Sequence, residues 1–378
     1  MARLDSFFRL MNAQGASDLH LASGNLPALR IKGDIERVNY HVLENDELRD
    51  LLFEIVPDDL RKDFEESGDL DFAYELPGVG RFRGNYFQQA NGVAAVFRQI
   101  PSEILTMEQL GLPQIVKRFA QLEKGLVLVT GPTGSGKSTT LAAVVDYANK
   151  HRRDHIITIE DPIEFHHRSR NCIINHREMH HHTKSWSAAL RSALREDPDI
   201  ILVGEMRDQE TIALALEAAA TGHLVLATLH TQSASKTVHR MIEVFPAEQQ
   251  EGIRSLLSDT LKGVVAQRLL KRLDGKGRIA AMEILVGTPA CSALIREGKT
   301  HQLPTVMQTG RKYGMIYGDD ALEDLVKEKM VAPEDAFESA EEKERFLPYL
   351  KKVPEEYREL LEQKSEGARG QRPVAAAR

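Results

Sequence analysis

One segment, "KGLVLVTGPTGSGKSTTLAAVVDYANKH" over residues 124–151, constrains the fold of this 378-residue chain more than any other. It opens with a continuous apolar run, which predicts a strand buried on both faces, as in a parallel sheet. The residues that follow, "GPTGSGKST", match the pattern G-x-x-x-x-G-K-[ST] and lead into a segment with helical spacing. A strand, a glycine-rich loop and a helix in this order begin a βαβ unit, so we predict an α/β domain with a parallel sheet.

The glycine-rich loop, residues 131–139 and here called the P-loop, predicts a site for a nucleoside triphosphate. Its glycines let the backbone turn tightly and direct N–H groups at phosphate oxygens. The helix after the loop adds its positive N-terminal end. Lys137 is expected to reach the β- and γ-phosphates of ATP, and Ser138 is expected to bind Mg²⁺. The predicted nucleotide-binding residues are Gly131, Pro132, Thr133, Gly134, Ser135, Gly136, Lys137, Ser138 and Thr139.

Carboxylates follow two further apolar strands. Glu160 ends "HIITIE", with Glu164 four residues further on, and Glu205 follows "DIILVG". Ligands of parallel sheets bind outside the carboxyl ends of the strands, so we expect these side chains beside the P-loop. One carboxylate can hold Mg²⁺, and another can orient or deprotonate the attacking water. We assign Glu205 to the metal and Glu160 to the water, and the exchanged roles remain the alternative.

Two histidines bracket the apolar run in "TGHLVLATLHT". Along a strand, seven residues span roughly 23 Å and an odd separation reverses the face, so His223 and His230 cannot share one metal. His230 ends the strand at the nucleotide edge, and we interpret it as a γ-phosphate sensor. We interpret His223 as a structural or subunit-contact residue. The cluster "HREMHHH" over residues 176–182 is predicted to be a solvated loop, with a metal site as the weaker alternative.

The remaining chain is predicted to form smaller units around this domain. Helical and alternating segments predict an α/β domain before it, including one helical stretch over residues 45–67. After Gly310 the pattern is mostly helical and charged. The predicted organisation is an N-terminal domain (1–100), a linker (101–121), the nucleotide domain (122–310), a helical C-terminal region (311–364) and a disordered tail (365–378).

Composition and charge exclude several classes of function. The formal net charge is −7 and the pI about 6.1, so nucleic acid is not an expected partner. Cys172 and Cys291 stand far apart, which excludes a disulfide framework and a zinc site built on CxxC pairs, and favours a reducing cytoplasm. Since no apolar run approaches the ~20 residues of a membrane span, we expect membrane contact only through partners.

Four boxes in a fixed order identify a family. "GPTGSGKST", "TIEDPIEF", "REDPDIILVGEMRD" and "TGHLVLATLHT" resemble the Walker A motif, aspartate box, Walker B motif and histidine box of type IV pilus retraction ATPases. This is the PilT/PilU kind of secretion ATPase, and the resemblance covers residues 3–318. The chain departs from the family in the C-terminal region, where it reads "ACSALIRE" in place of a motif close to AIRNLIRE.

The resemblance implies a RecA-like P-loop ATPase domain, a smaller N-terminal PAS-like α/β domain and a helical C-terminal region. It implies a cytoplasmic homohexamer that hydrolyses ATP with Mg²⁺ to power pilus retraction. Such a ring acts on an inner-membrane platform protein and is peripheral to that membrane. Arg83 and Arg98 stand where the superfamily places arginines that reach a neighbour's nucleotide. The alternative is that both are ordinary surface arginines on strands.

Three other functions remain open from the sequence. The chain can be an auxiliary retraction ATPase that depends on a second motor, or a nucleotide-gated ring with a structural role. A small-molecule kinase is the third alternative, because a P-loop alone permits it. Two strand-end carboxylates and a strand-end histidine favour hydrolysis over phosphoryl transfer to an acceptor, and ATP turnover without an acceptor would separate these alternatives.

Overall fold

The computed structural model describes residues 2–31, 33–100 and 103–357. The predicted tail lies outside the described residues. The helices are α1 (Asp5–Gln14), α2 (Asn45–Phe53), α3 (Asp58–Ser67), α4 (Gln114–Ala120), α5 (Lys137–His151), α6 (Trp186–Ala193), α7 (Gln209–Ala220), α8 (Ala234–Glu243), α9 (Gln250–Thr260), α10 (Pro289–Arg296), α11 (Leu303–Thr309), α12 (Gly318–Lys327) and α13 (Pro333–Ser339). The strands are β1 (Asp18–Ala22), β2 (Ala28–Ile31), β3 (Asp34–Arg37), β4 (Asp69–Leu76), β5 (Gly80–Gln89), β6 (Gly92–Ile100), β7 (Gly125–Thr130), β8 (His155–Glu160), β9 (Ile173–Glu178), β10 (Ile200–Val203), β11 (Leu224–Leu229), β12 (Leu261–Lys271) and β13 (Arg278–Val286).

The N-terminal part is a six-stranded antiparallel sheet in the order β3-β2-β1-β6-β5-β4, with an aromatic core on one face. Strand β5 alternates, so Phe82 and Tyr86 are buried while Arg83 faces outward. Gly84 shares the core face, where an added Cβ would lie 2.8 Å from Phe72. The close packing of these rings therefore fixes which face of the sheet carries the arginines.

The predicted single helix over residues 45–67 is wrong, because the structure has two helices there. α2 and α3 are separated at Pro57, which has no N–H to continue a helical ladder. Asn45 does not cap α2 through its side chain. Its Oδ1 instead accepts a hydrogen bond from the N–H of Val93 at 2.9 Å, which ties α2 to β6.

The second sheet has seven strands in the order β13-β12-β7-β11-β10-β8-β9. All neighbouring pairs are parallel except β12 and β13, which are antiparallel. Every residue of β7 and β11 is buried, which agrees with their continuous apolar sequences. The predicted α/β class is confirmed, and it brings the carboxyl ends of β7, β8, β10 and β11 to one edge of the sheet.

The histidine cluster is only in part the solvated loop that the sequence predicts. His176 lies within β9, an edge strand parallel to β8, whereas His180 to His182 form the turn that follows. An edge strand has one unpaired side and needs few apolar residues, so "IINHRE" lacks the signal of a buried strand. Among the described residues, no group of three or more His, Cys, Asp or Glu side chains is placed to hold a metal ion.

The C-terminal helices α12 and α13 pack on the hairpin of β12 and β13. Leu270 and Ala281 of the hairpin share a buried cluster with Leu322, Phe337 and Phe346. The hairpin therefore connects the seven-stranded sheet to the C-terminal region. Among the helices of the described residues, none is both long enough and apolar enough to cross a membrane.

Candidate active site

The P-loop follows β7, and its last three residues, from Lys137 onward, form the beginning of α5. Gly134 and Gly136 have φ angles of 78° and 86°, in the left-handed region that favours glycine. The Nζ of Lys137 donates to the carbonyl oxygens of Gly131 at 3.0 Å and Pro132 at 3.1 Å. Burial lowers the pKa of this amine, and the nearby carboxylates act in the opposite direction. A cation is thus held inside the loop.

The residues of the loop fit a triphosphate group. The first N–H groups of α5 have no acceptor within their own helix and can donate to phosphate oxygens. The Oγ of Ser135 is buried and has no hydrogen-bond partner among the described residues, which leaves a donor free for a ligand. Ser138, the residue predicted to bind Mg²⁺, is half-buried in the first turn of α5.

Gln267 is a P-loop contact that the sequence analysis missed. It is buried on β12, and its Nε2 donates to the carbonyl of Ser135 at 2.6 Å. Its Oε1 accepts from the hydroxyl of Thr140 at 2.9 Å. Because β12 is the neighbour of β7 in the sheet, this one amide ties the middle of the P-loop and the first turn of α5 to the adjacent strand. The available signal was an amide within the apolar run "GVVAQRLL".

Glu205 and His230 meet at the carboxyl edge of the sheet, as expected for residues that end neighbouring strands. The Nε2 of His230 lies 3.0 Å from Oε1 of Glu205, and Arg207 donates to Oε2 at 2.8 Å. Burial raises the pKa of Glu205, but the hydrogen bonds and charges of Arg207 and His230 outweigh it, so the net pKa is lowered. His223 lies at the other end of β11, with Nδ1 3.0 Å from the carbonyl of Ala218.

Two carboxylates stand at the end of β8. Oε2 of Glu160 accepts from the N–H of Glu164 at 3.3 Å, and its Oε1 lies 3.9 Å from Nδ1 of His176. The charge of Glu164, together with that of Glu205, acts on the amine of Lys137. Glu164 is therefore a second candidate for the water-orienting carboxylate, which the sequence analysis left outside its catalytic set.

The predicted arginines are paired with N-terminal carboxylates in the described chain. Arg83 and Arg98 lie directly opposite each other on β5 and β6, and both are largely exposed. Arg83 lies 3.7 Å from Asp71, and the Nε of Arg98 lies 2.8 Å from Asp18. The structure does not bring either one to this chain's own P-loop through these contacts.

Arg81, which the sequence analysis missed, joins the two sheets. It lies two residues before Arg83 and shares its face of β5. It donates from Nη2 to Oε2 of Glu178, the last residue of β9, at 2.9 Å. Glu178 is buried and also accepts from the N–H of Ile163 at 3.0 Å. Arg81 thus ties the N-terminal sheet to the edge of the seven-stranded sheet in the same chain.

This arrangement agrees with comparisons to known proteins. Residues 75–343 match the family described as Type II/IV secretion system protein. The chain belongs to this family. Its members include ATPases, and the P-loop with its strand-end carboxylates assigns ATP binding and hydrolysis to this secretion-family chain.

Individual relatives are similar along most of their length. The chain is 55% identical over 333 residues to the type IV pilus retraction ATPase PilT of Pseudomonas aeruginosa, covering 88% of this chain and 96% of that protein. It is 40% identical over 337 residues to the type IV pilus ATPase PilU of the same organism, covering 89% and 88%. A crystal structure of the pilus retraction motor PilT with bound ADP aligns with a TM-score of 0.86 at 44% identity, covering 91% and 98%.

Proposed function

We propose that this secretion-family ATPase is a ring motor that hydrolyses ATP to power retraction of a type IV pilus. The observation that carries the hydrolysis part of the proposal is the Glu205–His230 contact at the carboxyl edge of the sheet, and the similarity to the retraction ATPase PilT supports the retraction part. A carboxylate held ionised beside a strand-end histidine suits hydrolysis with γ-phosphate sensing. The higher identity to PilT, 55% against 40% for PilU, favours a main retraction motor over an auxiliary one.

The proposed mechanism assigns a role to each side chain. Lys137 neutralises the β- and γ-phosphates, and the N–H groups at the start of α5 orient them. Ser138 and Glu205 would hold Mg²⁺, which neutralises charge on phosphoryl oxygens when it is bound. Glu160 or Glu164 orients the attacking water. His230 detects the γ-phosphate, because its contact with Glu205 places it at this edge.

The assembly and location belong to the same proposal. A homohexamer in the cytoplasm would act on the inner-membrane platform of the pilus and reach the membrane only through that partner. A second retraction ATPase is a further candidate partner, and no nucleic acid is expected. The exposed Arg83 and Arg98 support a ring, because their guanidinium groups point away from the buried aromatic core.

Complementation of a deletion strain tests the motor function. We expect the deletion to leave cells that bear pili and do not twitch, and the wild-type gene to restore retraction. The Glu205→Gln gene should fail, because loss of a catalytic carboxylate cuts turnover by ~10² or more. Glu217→Gln, an exposed carboxylate on α7, is the matched control and should restore twitching. Retraction that persists in the deletion strain would assign the main motor to another protein.

A comparison of the two strand-end histidines tests the sensor. We expect His230→Ala to reduce the preference for ATP over ADP about tenfold, the cost of losing a hydrogen bond to a charged group. His223→Ala should change the preference little, because this ring is at the opposite end of β11. The dissociation constants of both nucleotides measure the effect. A larger loss of preference in His223→Ala would contradict the assignment.

A further inference from the structure

Glu283 on β13 is a buried carboxylate outside the nucleotide site. It lies beside residues 230–233, which connect β11 to α8 and are here called the His230 loop. Its side chain is 7% exposed and lines a small polar cavity of about 30 Å³ between the β12–β13 hairpin and the C-terminal helices. Gln232 and Ser233 of the His230 loop line the same cavity, as does Gly318 of α12. The cavity thus lies at the junction of the ATP-binding domain and the C-terminal region.

The two oxygens of Glu283 accept from the first residues of two different helices. Oε1 accepts from the N–H of Ala234, where α8 begins, at 2.6 Å. Oε2 accepts from the N–H of Gly318, where α12 begins, at 3.2 Å. The first N–H groups of a helix have no partner within it, and the positive helix end favours an anion. One carboxylate therefore fixes the starts of both helices relative to each other.

The start of α8 is also linked to the P-loop. The hydroxyl of Thr237 lies 2.6 Å from that of Thr231, the residue after His230. It lies 3.3 Å from that of Thr130, the last residue of β7. The segment that carries His230 is therefore held by the P-loop strand on one side and by Glu283 on the other.

The start of α12 is tied to the rest of the C-terminal region by further polar contacts. Asp319 accepts from the N–H groups of Glu341 at 3.0 Å and Glu342 at 2.6 Å. Arg268 donates to the carbonyls of Gln232 and Ser339, and so reaches both sides of the cavity. These contacts connect the start of α12 to the loop that leads out of His230.

We propose that Glu283 is a positioning residue that couples the C-terminal helical region to the His230 loop. The proposal rests on the proposed function in one respect, since His230 has to act at the nucleotide. A carboxylate is required because both acceptor positions are used, and a side-chain amide supplies only one oxygen. The charged groups around it are Arg268 on β12, Lys236 on α8, and Asp319 and Glu341 on the C-terminal side.

The bridge that the ionised Glu283 forms between α8 and α12 lowers the stability of the fold at neutral pH. Burial raises the pKa of Glu283 to about 6, the N–H of Ala234 acts in the opposite direction, and the charge of Glu341 adds to the effect of burial. A folded-state pKa above the usual value means that the ionised form at neutral pH destabilises the fold.

Two substitutions disturb the bridge from opposite sides. Glu283→Gln removes one acceptor and directs an amide N–H at a backbone N–H. Gly318→Ala places a Cβ 2.9 Å from Oε2 of Glu283 and displaces the carboxylate without altering it. Glu323→Gln is the matched control, because this carboxylate of α12 pairs with Lys327 and Arg345 inside the C-terminal region and not with α8.

Hydrogen–deuterium exchange of the full-length protein tests the coupling. In both Glu283→Gln and Gly318→Ala, we expect amide exchange to rise roughly tenfold in residues 231–238 as well as in 318–322. Glu323→Gln should raise exchange only in the C-terminal region. Gly318→Ala is the decisive variant, because Gly318 is distant from α8 in the sequence. Faster exchange in α8 would then have to arise through the contact of both helices with Glu283. Exchange that rises only near residue 318 in both variants would overturn the proposal.

Steady-state ATP turnover separates positioning from mere stability. We expect kcat to fall roughly tenfold in both bridge variants, while KM for ATP changes less than about twofold because the P-loop contacts are intact. Glu323→Gln should keep the wild-type kcat. Unchanged kcat in both bridge variants would overturn the positioning role. Coupled exchange in a protein that hydrolyses no ATP would instead overturn the proposed function and leave the bridge established.

Discussion

Replacing Lys137 with alanine is expected to lower ATP turnover by at least ~10²-fold and to leave the fold intact. The amine lies inside the P-loop, where its charge would neutralise the transferred phosphate. Gln267 holds the loop independently, so the loop should persist without the amine. Release of inorganic phosphate at saturating ATP measures the loss.

Thermal unfolding supplies the control for the fold. The two hydrogen bonds of Gln267 to this region remain when the amine is removed. The melting temperature of Lys137→Ala should therefore stay close to that of the wild type. Lys124→Ala, an exposed lysine just before β7, should keep full turnover. Wild-type turnover in Lys137→Ala would contradict the assignment of the P-loop as the hydrolytic site.

The sequence predicts which residues lie at the nucleotide-binding edge of the sheet, because the signals for that edge are local in the sequence. Glu205 and His230 each end a buried strand, and parallel strands bring their carboxyl ends to one edge whatever the loops do. Their 3.0 Å contact follows from that geometry without knowledge of any distant residue. The P-loop is predicted for the same reason, since strand, loop and helix are contiguous in the chain.

The residues that hold this edge in place could not be predicted in the same way. Gln267 and Glu283 act from a hairpin more than a hundred residues after the P-loop, and its position next to β7 is a property of the sheet order. Arg81 was missed because its partner Glu178 ends an edge strand without an apolar signature. Pairings between distant strands depend on packing and not on local pattern.

The exposed arginines of the N-terminal sheet are candidates for completing a site that is shared between subunits. Arg83 and Arg98 are exposed on one face of the N-terminal sheet, and their partners in the described residues are Asp71 and Asp18. Arg81 on the same face is engaged by Glu178 of its own chain. We propose that Arg83 and Arg98 complete the site of the adjacent subunit, where they neutralise γ-phosphate charge.

A mixing experiment with two inactive variants tests this arrangement. Lys137→Ala keeps both arginines, and the double variant Arg83→Ala/Arg98→Ala keeps the P-loop. Each alone should lose most activity, since an arginine that completes a phosphoryl-transfer site is worth ~10³ or more in rate. Arg37→Ala, an exposed arginine on β3, is the control and should remain active.

The expected result is that turnover depends on the mixing ratio and peaks near equal amounts. In a ring with head-to-tail interfaces, random mixing places an intact P-loop beside intact arginines at about a quarter of the interfaces. If the arginines act within their own chain, no mixed interface has both parts, and the activity remains flat at every ratio. Subunit exchange is followed by fluorescence transfer between labelled variants, so that a flat profile with complete exchange contradicts the shared site. Recovery to about a quarter of the wild-type rate would require the arginines of one subunit to act at the P-loop of the next.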